Sequence, residues 1–516
     1  MPSQLNKSLV LSSDFQARTD IAVPNATQFQ LPEKVLQFGS GVLLRGFTDF
    51  FIDNANRQGI YNGRVIVVQS TAKGKGDALN LQDGLFTLCE QGLENAESVE
   101  RYTVVASISR ALSAQSQWQD ILACAHIPTL ELIVSNTTEV GLVYDEKDSA
   151  TENPPRSFPA KLTRFLYERF KALPDKGFVI VPTELVENNG DKLRDYVLKH
   201  LQKANFGNAF EAWVKEKNRF CNSLVDRIVP GKPDTVRSIN LEKKLGYVDE
   251  LLICAEIYSL WAIEGDNAVA KVLGFKDANP SVIVTPNITP YRERKLRILN
   301  GTHTICTAVA ILAGKQTVLD MMSDSVTCAF VERVVYEEIV PSLGVDHAKE
   351  FVNDVLNRFR NPFLHHKLYD ITFQYTSKFK TRVLPIIRKY YEQFGHLPKH
   401  ILFGFAAYLW FSRGVEHVGS TIYGTLSTSK NFKQSYPIQD NFAEYLFQQW
   451  RFVNPYDMNA LIRFVKAIAV SQDLWETNLD GYADFTITVA RYLNAIIQSG
   501  IANALQTLDE NKIQQT

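Results

Sequence analysis

The chain has 516 residues, of which 45% are hydrophobic and 22% charged, with 55 Lys and Arg against 56 Asp and Glu. Such a length exceeds what one hydrophobic core sustains, so two domains are expected, and the composition is that of a folded protein rather than a disordered one. A net charge of -1 leaves no basic field for nucleic acid or an anionic membrane, so an anionic ligand has to be met by local charges.

The six cysteines are scattered, with no CxxC pair, which favours reduced thiols over a disulfide framework or a zinc site. Residues 1–30 are polar and lack the apolar core of a signal peptide; they are set apart as an N-terminal extension. The longest apolar run, Ile401 to Phe411, falls short of the ~20 residues that span a bilayer and reads as a buried helix. A cytoplasmic protein without a membrane partner is expected.

In chain order, Val35 to Phe38 predicts a strand, followed by a glycine turn and an amphipathic helix from about Leu43 to Asn56. Val65 to Val68, Tyr102 to Ile108, Leu132 to Val134 and Phe178 to Val181 predict further strands, the last after a helical stretch from Lys161 to Leu173. Strands alternating with helices imply βαβ crossovers and a mostly parallel sheet. Beyond a break at residues 275–290 the pattern turns helical, in Pro290 to Leu312, His347 to Arg360, Ile401 to Ser412, Asn459 to Val470 and Ala483 to Leu505. The expected organisation is an α/β domain over 31–280 and a mainly helical domain over 281–516. Gly414 to Gln439, rich in Ser, Thr and Gly, reads as a surface loop.

Gly39-Ser40-Gly41 stands between a strand and a helix, where glycines permit a tight turn and let a pyrophosphate reach the positive end of the helix. The next strand ends in Val68-Gln69-Ser70-Thr71, with Lys73 and Lys75 beyond and no carboxylate to repel a 2′-phosphate, so spacing leaves NAD and NADP both open. The segment from Arg294 to Thr304 carries Lys295, Asn300 and His303 among leucines. On a helix they project within one broad arc, against apolar walls. A lysine there has its pKa lowered by desolvation and suits proton transfer, and an amide can donate to an oxygen that gains charge. A solvated basic face is the plainer alternative. No histidine has metal-ligand partners at the right spacing, and no metal is expected.

Gln37-Phe38-Gly39-Ser40-Gly41-Val42-Leu43-Leu44-Arg45-Gly46-Phe47, the K-x4-N-x2-H run from Lys295 to His303, Phe220 to Pro230, Pro182 to Gly190 and Ser135 to Glu139 resemble motifs of the mannitol dehydrogenase family of long-chain polyol dehydrogenases. The resemblance implies a Rossmann-like cofactor domain, a helical substrate domain and reversible hydride transfer between NAD(H) and a sugar acid or ketose. It further implies that Lys295 is the general acid/base, that Asn189 and Asn300 polarise the carbonyl, and that His303 binds a hydroxyl. Asp226 and Lys378 would line the substrate pocket, and Gln37, Phe38, Gly39, Gly41, Leu44, Arg45, Gln69 and Thr137 would hold the cofactor. Lys378, Lys380 and Arg382 form a cationic cluster suited to a substrate carboxylate, with a solvated charge run as the alternative for Lys380. A non-catalytic nucleotide sensor is the competing class; oligomeric state is not addressed by the sequence.

Overall fold

The computed structural model describes residues 3–510 apart from 72–73, 95, 138–140, 345–347 and 430–431, with the backbone alone for 427–429, 432–434 and 509–510. Lys73, Thr138, Glu139 and His347 of the sequence reading lie outside the described residues. The chain divides into two compact units, Met1–Gly92 with Glu97–Tyr291, and Leu93–Ala96 with Arg292–Thr516.

The first unit is built on a six-stranded sheet of β1 (Glu33–Phe38), β2 (Arg64–Gln69), β3 (Ile108–Ser113), β4 (Leu132–Ser135), β5 (Val179–Pro182) and β6 (Arg219–Phe220). The order is 3-2-1-4-5-6 and every pairing is parallel. Parallel strands buried on both faces need apolar residues at successive positions, which is why these segments read as continuous Val, Ile and Leu runs. Val35, Val67 and Val134 join one apolar layer with Phe47 and Phe51 of helix α1 (42–57). Leu36, Ile66 and Ile133 join the other, with Phe165 of α2 (Phe158–Ala172) and Leu193 of α3 (Asn189–Lys203). The strand order reverses between β1 and β4, and ligands of such sheets bind beyond the C-terminal ends of the strands at that point.

Residues 3–30, set apart by the sequence, belong to this unit. Ser3–Gln4 pairs in parallel with Tyr247–Val248, and Leu5, Val10, Phe15 and Ile21 complete an apolar cluster with Leu85, Tyr102 and Leu245. Smaller sheets flank the main one: Phe86–Glu94 pairs with Ile253–Glu256, and Leu260–Glu264 lies between Ser223–Asp226 and Val282–Thr285.

The second unit is mostly helical, with α4 (Thr302–Leu312), α5 (Ala348–Phe359), α6 (Lys399–Phe411) and α7 (Phe485–Glu510), the last broken at Gly500, whose φ is +76°. Helix α6 is the apolar run of the sequence, buried from His400 through Leu409. Its N-terminus is capped by the buried Glu338 carboxylate, which accepts from the backbone N–H groups of His400 (2.7 Å) and Ile401 (2.8 Å). Gly404 lets α6 approach α4: a Cβ there would stand 2.6 Å from Ile305 Cγ2 and 2.8 Å from the Ile305 carbonyl oxygen. Gly404→Val is expected to lower stability by roughly 2–4 kcal/mol through overpacking, read as a drop in Tm; an unchanged Tm would show that the helices separate freely. No helix among the described residues is long and apolar enough to cross a membrane.

The surface-loop reading of 414–439 is corrected. Glu416–Val418, Thr421–Ser429 and Phe432–Pro437 form a three-stranded antiparallel sheet. Its Ser and Thr are sheet residues, and Ile422, Leu426 and Tyr436 turn inward.

Candidate active site

In the first unit the turn from β1 into α1 is strained at one residue. Gly39 has φ +130°, and a Cβ on it would sit 3.0 Å from the Asn136 carbonyl oxygen. Its N–H is held by Val68 O at 3.0 Å. The N–H groups of the next three residues, Ser40, Gly41 and Val42, find no acceptor among the described residues. Three unpartnered N–H groups at the positive end of a helix form an anion cradle. Gly41 serves a different need: its backbone is ordinary (φ -70°) and a Cβ would meet nothing within 4 Å, so what glycine provides there is room for a ligand.

The neighbouring side chains are less available than spacing suggests. Gln37, Phe38, Leu44 and Arg45, expected at the cofactor, are buried and point inward. Arg45 Nη1 donates to Leu251 O at 2.6 Å, and Gln37 Nε2 to Asp49 Oδ2 at 3.1 Å. They shape the turn from beneath rather than offer it side chains. Burial pushes the Asp49 carboxyl up to about 7. Gln69, at the end of β2, folds onto the following loop, donating to Thr71 O (2.9 Å) and accepting from Gly76 N–H (2.7 Å). Lys75 N–H reaches Ser40 Oγ at 3.2 Å, which joins this loop to the glycine turn.

At the ends of β4 and β5, Thr137 is held by Glu184. The buried carboxylate accepts from Thr137 N–H (2.9 Å), Thr137 Oγ1 (3.0 Å) and Ser135 Oγ (3.1 Å). Burial raises its pKa, against those hydrogen bonds. The geometry corrects the part expected of Asn189. Its side chain is fully buried, Nδ2 donates to the carbonyls of Pro182, Glu184 and Ser223, and Oδ1 accepts from the N–H groups of Gly190 and Ser223. An amide so saturated ties β5 to α3 and the strand beyond; it has nothing left to polarise a carbonyl. Asp226 is buried. Its neighbour Arg227 is a clamp, paired with Glu90 and donating to Gly46 O and Glu256 O.

In the second unit Lys295–Gly301 winds as a π-turn between the helical turn Thr289–Arg294 and α4. In the regular helix expected from the spacing, Lys295 and Asn300 stand about 140° apart around the axis. Hydrogen bonds from i to i+5 instead bring residues five apart above one another, and such turns recur at functional sites. Phe379–Val383, between Lys378 and Leu384, is a second π-turn. The Asn300 amide is half-buried and makes no hydrogen bond among the described residues. His303 is buried, stacked on Phe359 (4.2 Å between ring centroids, 14°) with His366 edge-on to its ring (5.2 Å, 90°). Its Nε2 has no hydrogen-bond partner among the described residues. Burial, then His366, Arg358, Arg382 and Lys378, hold its pKa well below the ordinary value, so the imidazole is neutral and can exchange a hydrogen bond with a hydroxyl.

Those cations form one cluster. Lys378 Nζ donates to Ile371 O at 2.8 Å, and burial, with Arg382 adding to it, lowers its pKa to about 8. Arg382 is half-buried, and its guanidinium has no hydrogen bond or ion pair among the described residues. Lys380 is taken by Glu476, 2.6 Å away, and leaves the candidate set. Sequence reasoning missed Phe359, His366 and Glu184; a histidine or an acid among apolar residues was the available signal, but nothing in spacing says what it faces. No group of three or more His, Cys, Asp or Glu among the described residues could hold a metal ion.

A 3-2-1-4-5-6 parallel sheet with an anion cradle at its first strand-to-helix turn defines a dinucleotide-binding protein of the Rossmann class. Family models agree: residues 33–276 match the mannitol dehydrogenase Rossmann domain and 287–473 the mannitol dehydrogenase C-terminal domain. The chain is 40% identical to an altronate oxidoreductase of Bacillus subtilis, over 92% of this chain and 95% of the relative. It is 38% identical to one from Escherichia coli O7:K1, over 93% and 97%. Two solved structures share the fold. A Pseudomonas fluorescens mannitol 2-dehydrogenase, in a ternary complex with NAD and D-mannitol, has a TM-score of 0.67 at 22% identity, covering 98% of this chain and 99% of that one. A D-sorbitol dehydrogenase has 0.76 at 19%, covering 97% and 100%. The chain belongs to the mannitol dehydrogenase family. It is an oxidoreductase acting on CH–OH groups, and its family fold supports a nicotinamide cofactor.

Proposed function

We propose that this enzyme catalyses the reversible, NAD-dependent reduction of D-tagaturonate to D-altronate. The observation that carries the reading beyond its relatives' names is Arg382, a half-buried cation without a partner among the described residues, beside Lys378 and His303. A neutral ketose has no use for such a charge, whereas a uronate carboxylate pairs with it.

The N–H groups of Ser40, Gly41 and Val42 would hold the cofactor pyrophosphate, and the open space at Gly41 fits its approach. The bound nicotinamide supplies the hydride. On the substrate, the Lys295 ammonium gives its proton to the keto oxygen as the keto carbon is reduced, and takes it back in the direction of oxidation. The Asn300 amide donates to the same oxygen while its charge grows. His303 Nε2 fixes a neighbouring hydroxyl, and Arg382 with Lys378 binds the carboxylate. Asp226 is assigned to the substrate pocket by resemblance.

Purified protein is expected to oxidise NADH with D-tagaturonate in strong preference to D-fructuronate or D-fructose, and to use NADH in preference to NADPH. Preference for fructuronate or fructose keeps the family and overturns the substrate; no turnover with any of them moves a binding function to the front. Arg382→Ala is expected to raise KM for the uronate roughly 10–100-fold, the loss of one charged hydrogen-bond pair, with a smaller effect on a neutral ketose. Equal effects on both would remove the carboxylate contact. Lys378 adds a pH signature. Its ammonium attracts a carboxylate below about 8 and loses its proton as pH rises through that value, so KM for the uronate climbs above pH 8 while that for fructose does not.

A further inference from the structure

Beneath the nucleotide turn lies a polar pair that the chemistry does not use. Gln37 on β1 and Asp49 on α1 are both fully buried, and Asp49 ends the π-turn Arg45–Asp49, in which the helix departs from regular winding. One atom joins the pair to the turn: Gln37 Nε2 donates to Asp49 Oδ2 (3.1 Å) and to the Gly39 carbonyl oxygen (3.2 Å). Burying an amide and an acid in an apolar layer is costly, and here the cost is only partly offset, since Gln37 Oε1 and Asp49 Oδ1 have no partner among the described residues. A pair of aliphatic side chains would pack more stably, so the polar pair serves something other than stability.

What it serves follows from the planarity of the peptide bond. The Gly39 carbonyl and the Ser40 N–H belong to one trans peptide unit and point in opposite directions. Drawing the carbonyl inward, onto the Gln37 amide, turns the Ser40 N–H outward, into the cradle it forms with Gly41 and Val42. Asp49 in turn settles which end of the Gln37 amide faces Gly39, because only Nε2 can be donated to an acceptor on both sides. Gly39, at φ +130°, has the freedom to rotate that peptide if the hold is lost.

We propose that Asp49 is a positioning residue for the cofactor, acting through Gln37 to fix the Gly39–Ser40 peptide in the orientation that binds the pyrophosphate. The inference rests on the cofactor reading given above. The next acid along α1 is a contrast: Asp53 accepts from Ala106 N–H (2.8 Å) and Arg57 Nε (2.7 Å) and has no link to the turn.

The test is the dissociation constant for NADH, by fluorescence titration of the full chain, with Tm followed alongside. Asp49→Leu is expected to raise Kd about tenfold, a loss of about 1.4 kcal/mol, and the KM for NADH with it, with kcat at saturating cofactor falling far less. Asp49→Asn, which keeps an acceptor for Gln37, restores Kd to within about threefold of wild type. Gln37→Met breaks the link from the other end and gives the same rise, and the double variant Gln37→Met/Asp49→Leu is no worse than either single change. Asp53→Asn lowers Tm and leaves Kd alone. A folded Asp49→Leu protein with wild-type Kd overturns the inference, as do additive effects in the double variant. Should Asp49→Leu not fold, an unchanged Kd in Gln37→Met overturns it equally. A wild-type protein that binds neither NADH nor NADPH defeats the cofactor reading itself, and this inference with it.

Discussion

The Lys295→Ala protein is expected to lose about three orders of magnitude in kcat for keto-acid reduction, roughly 4 kcal/mol of transition-state stabilisation, while its affinity for NADH stays close to wild type. The loss is large because protonation accompanies hydride arrival: without a proton donor, an alkoxide has to form with the Asn300 amide alone to steady it. Stopped-flow single turnovers with saturating NADH separate this from slower product release. A kcat within a fewfold of wild type would remove Lys295 from the mechanism. It would turn attention to Lys378, whose charge acts on His303 and whose pKa is lowered to about 8, which suits the same task near neutrality.

The largest effect on stability is expected at Arg169. This arginine of α2 is buried with no carboxylate partner among the described residues, and burial lowers its pKa to about 10. It is kept in place by carbonyls: Nε donates to Lys176 O, Nη1 to Ala125 O and Ile127 O, and Nη2 to Leu130 O, all within 2.8–3.0 Å. The guanidinium also lies 4.6 Å from the centre of the Phe178 ring. One side chain thus fastens the loops that enter β4 and β5. Arg169→Met keeps the length and removes every donor, stranding the buried carbonyls of Ala125 and Leu130 and releasing the part-buried ones of Ile127 and Lys176, and is expected to cost about 3–5 kcal/mol. At that size Tm falls by roughly 10 °C. A fall of a degree or two would mean that water takes over the carbonyls. Arg169→Lys is expected to recover little, since a single ammonium cannot match the spread of a planar fork.

The central sheet was legible because doubly buried parallel strands have to be apolar at nearly every position, as Val65 to Val68 and Leu132 to Val134 are. The sheet over 416–437 was not, because a run rich in Ser, Thr and Gly looks like a loop, and few positions, among them Ile422, Leu426 and Tyr436, mark its inner side. At the site, motif spacing pointed to Lys295, Asn300 and His303, and it could not distinguish a free amide from a consumed one. Asn189 and Asn300 are the same residue type with opposite situations, the first saturated by backbone and the second open. Likewise Lys380 and Arg382 stand two apart in sequence, yet the partner that withdraws Lys380 is Glu476, far along the chain. The π-turn at Lys295 leaves no signature in composition, since it is a matter of how the backbone closes its hydrogen bonds.

The pairing of Ser3–Gln4 with Tyr247–Val248 bears on how the protein is made. A ribosome delivers the first strand some two hundred and forty residues before the one it pairs with, at a pace of about 5–20 residues per second. For roughly ten seconds or more the apolar side chains of Leu5, Val10 and Phe15 have no finished surface to rest on. This apolar cluster therefore closes late, once Leu245 and the Tyr247–Val248 strand have emerged.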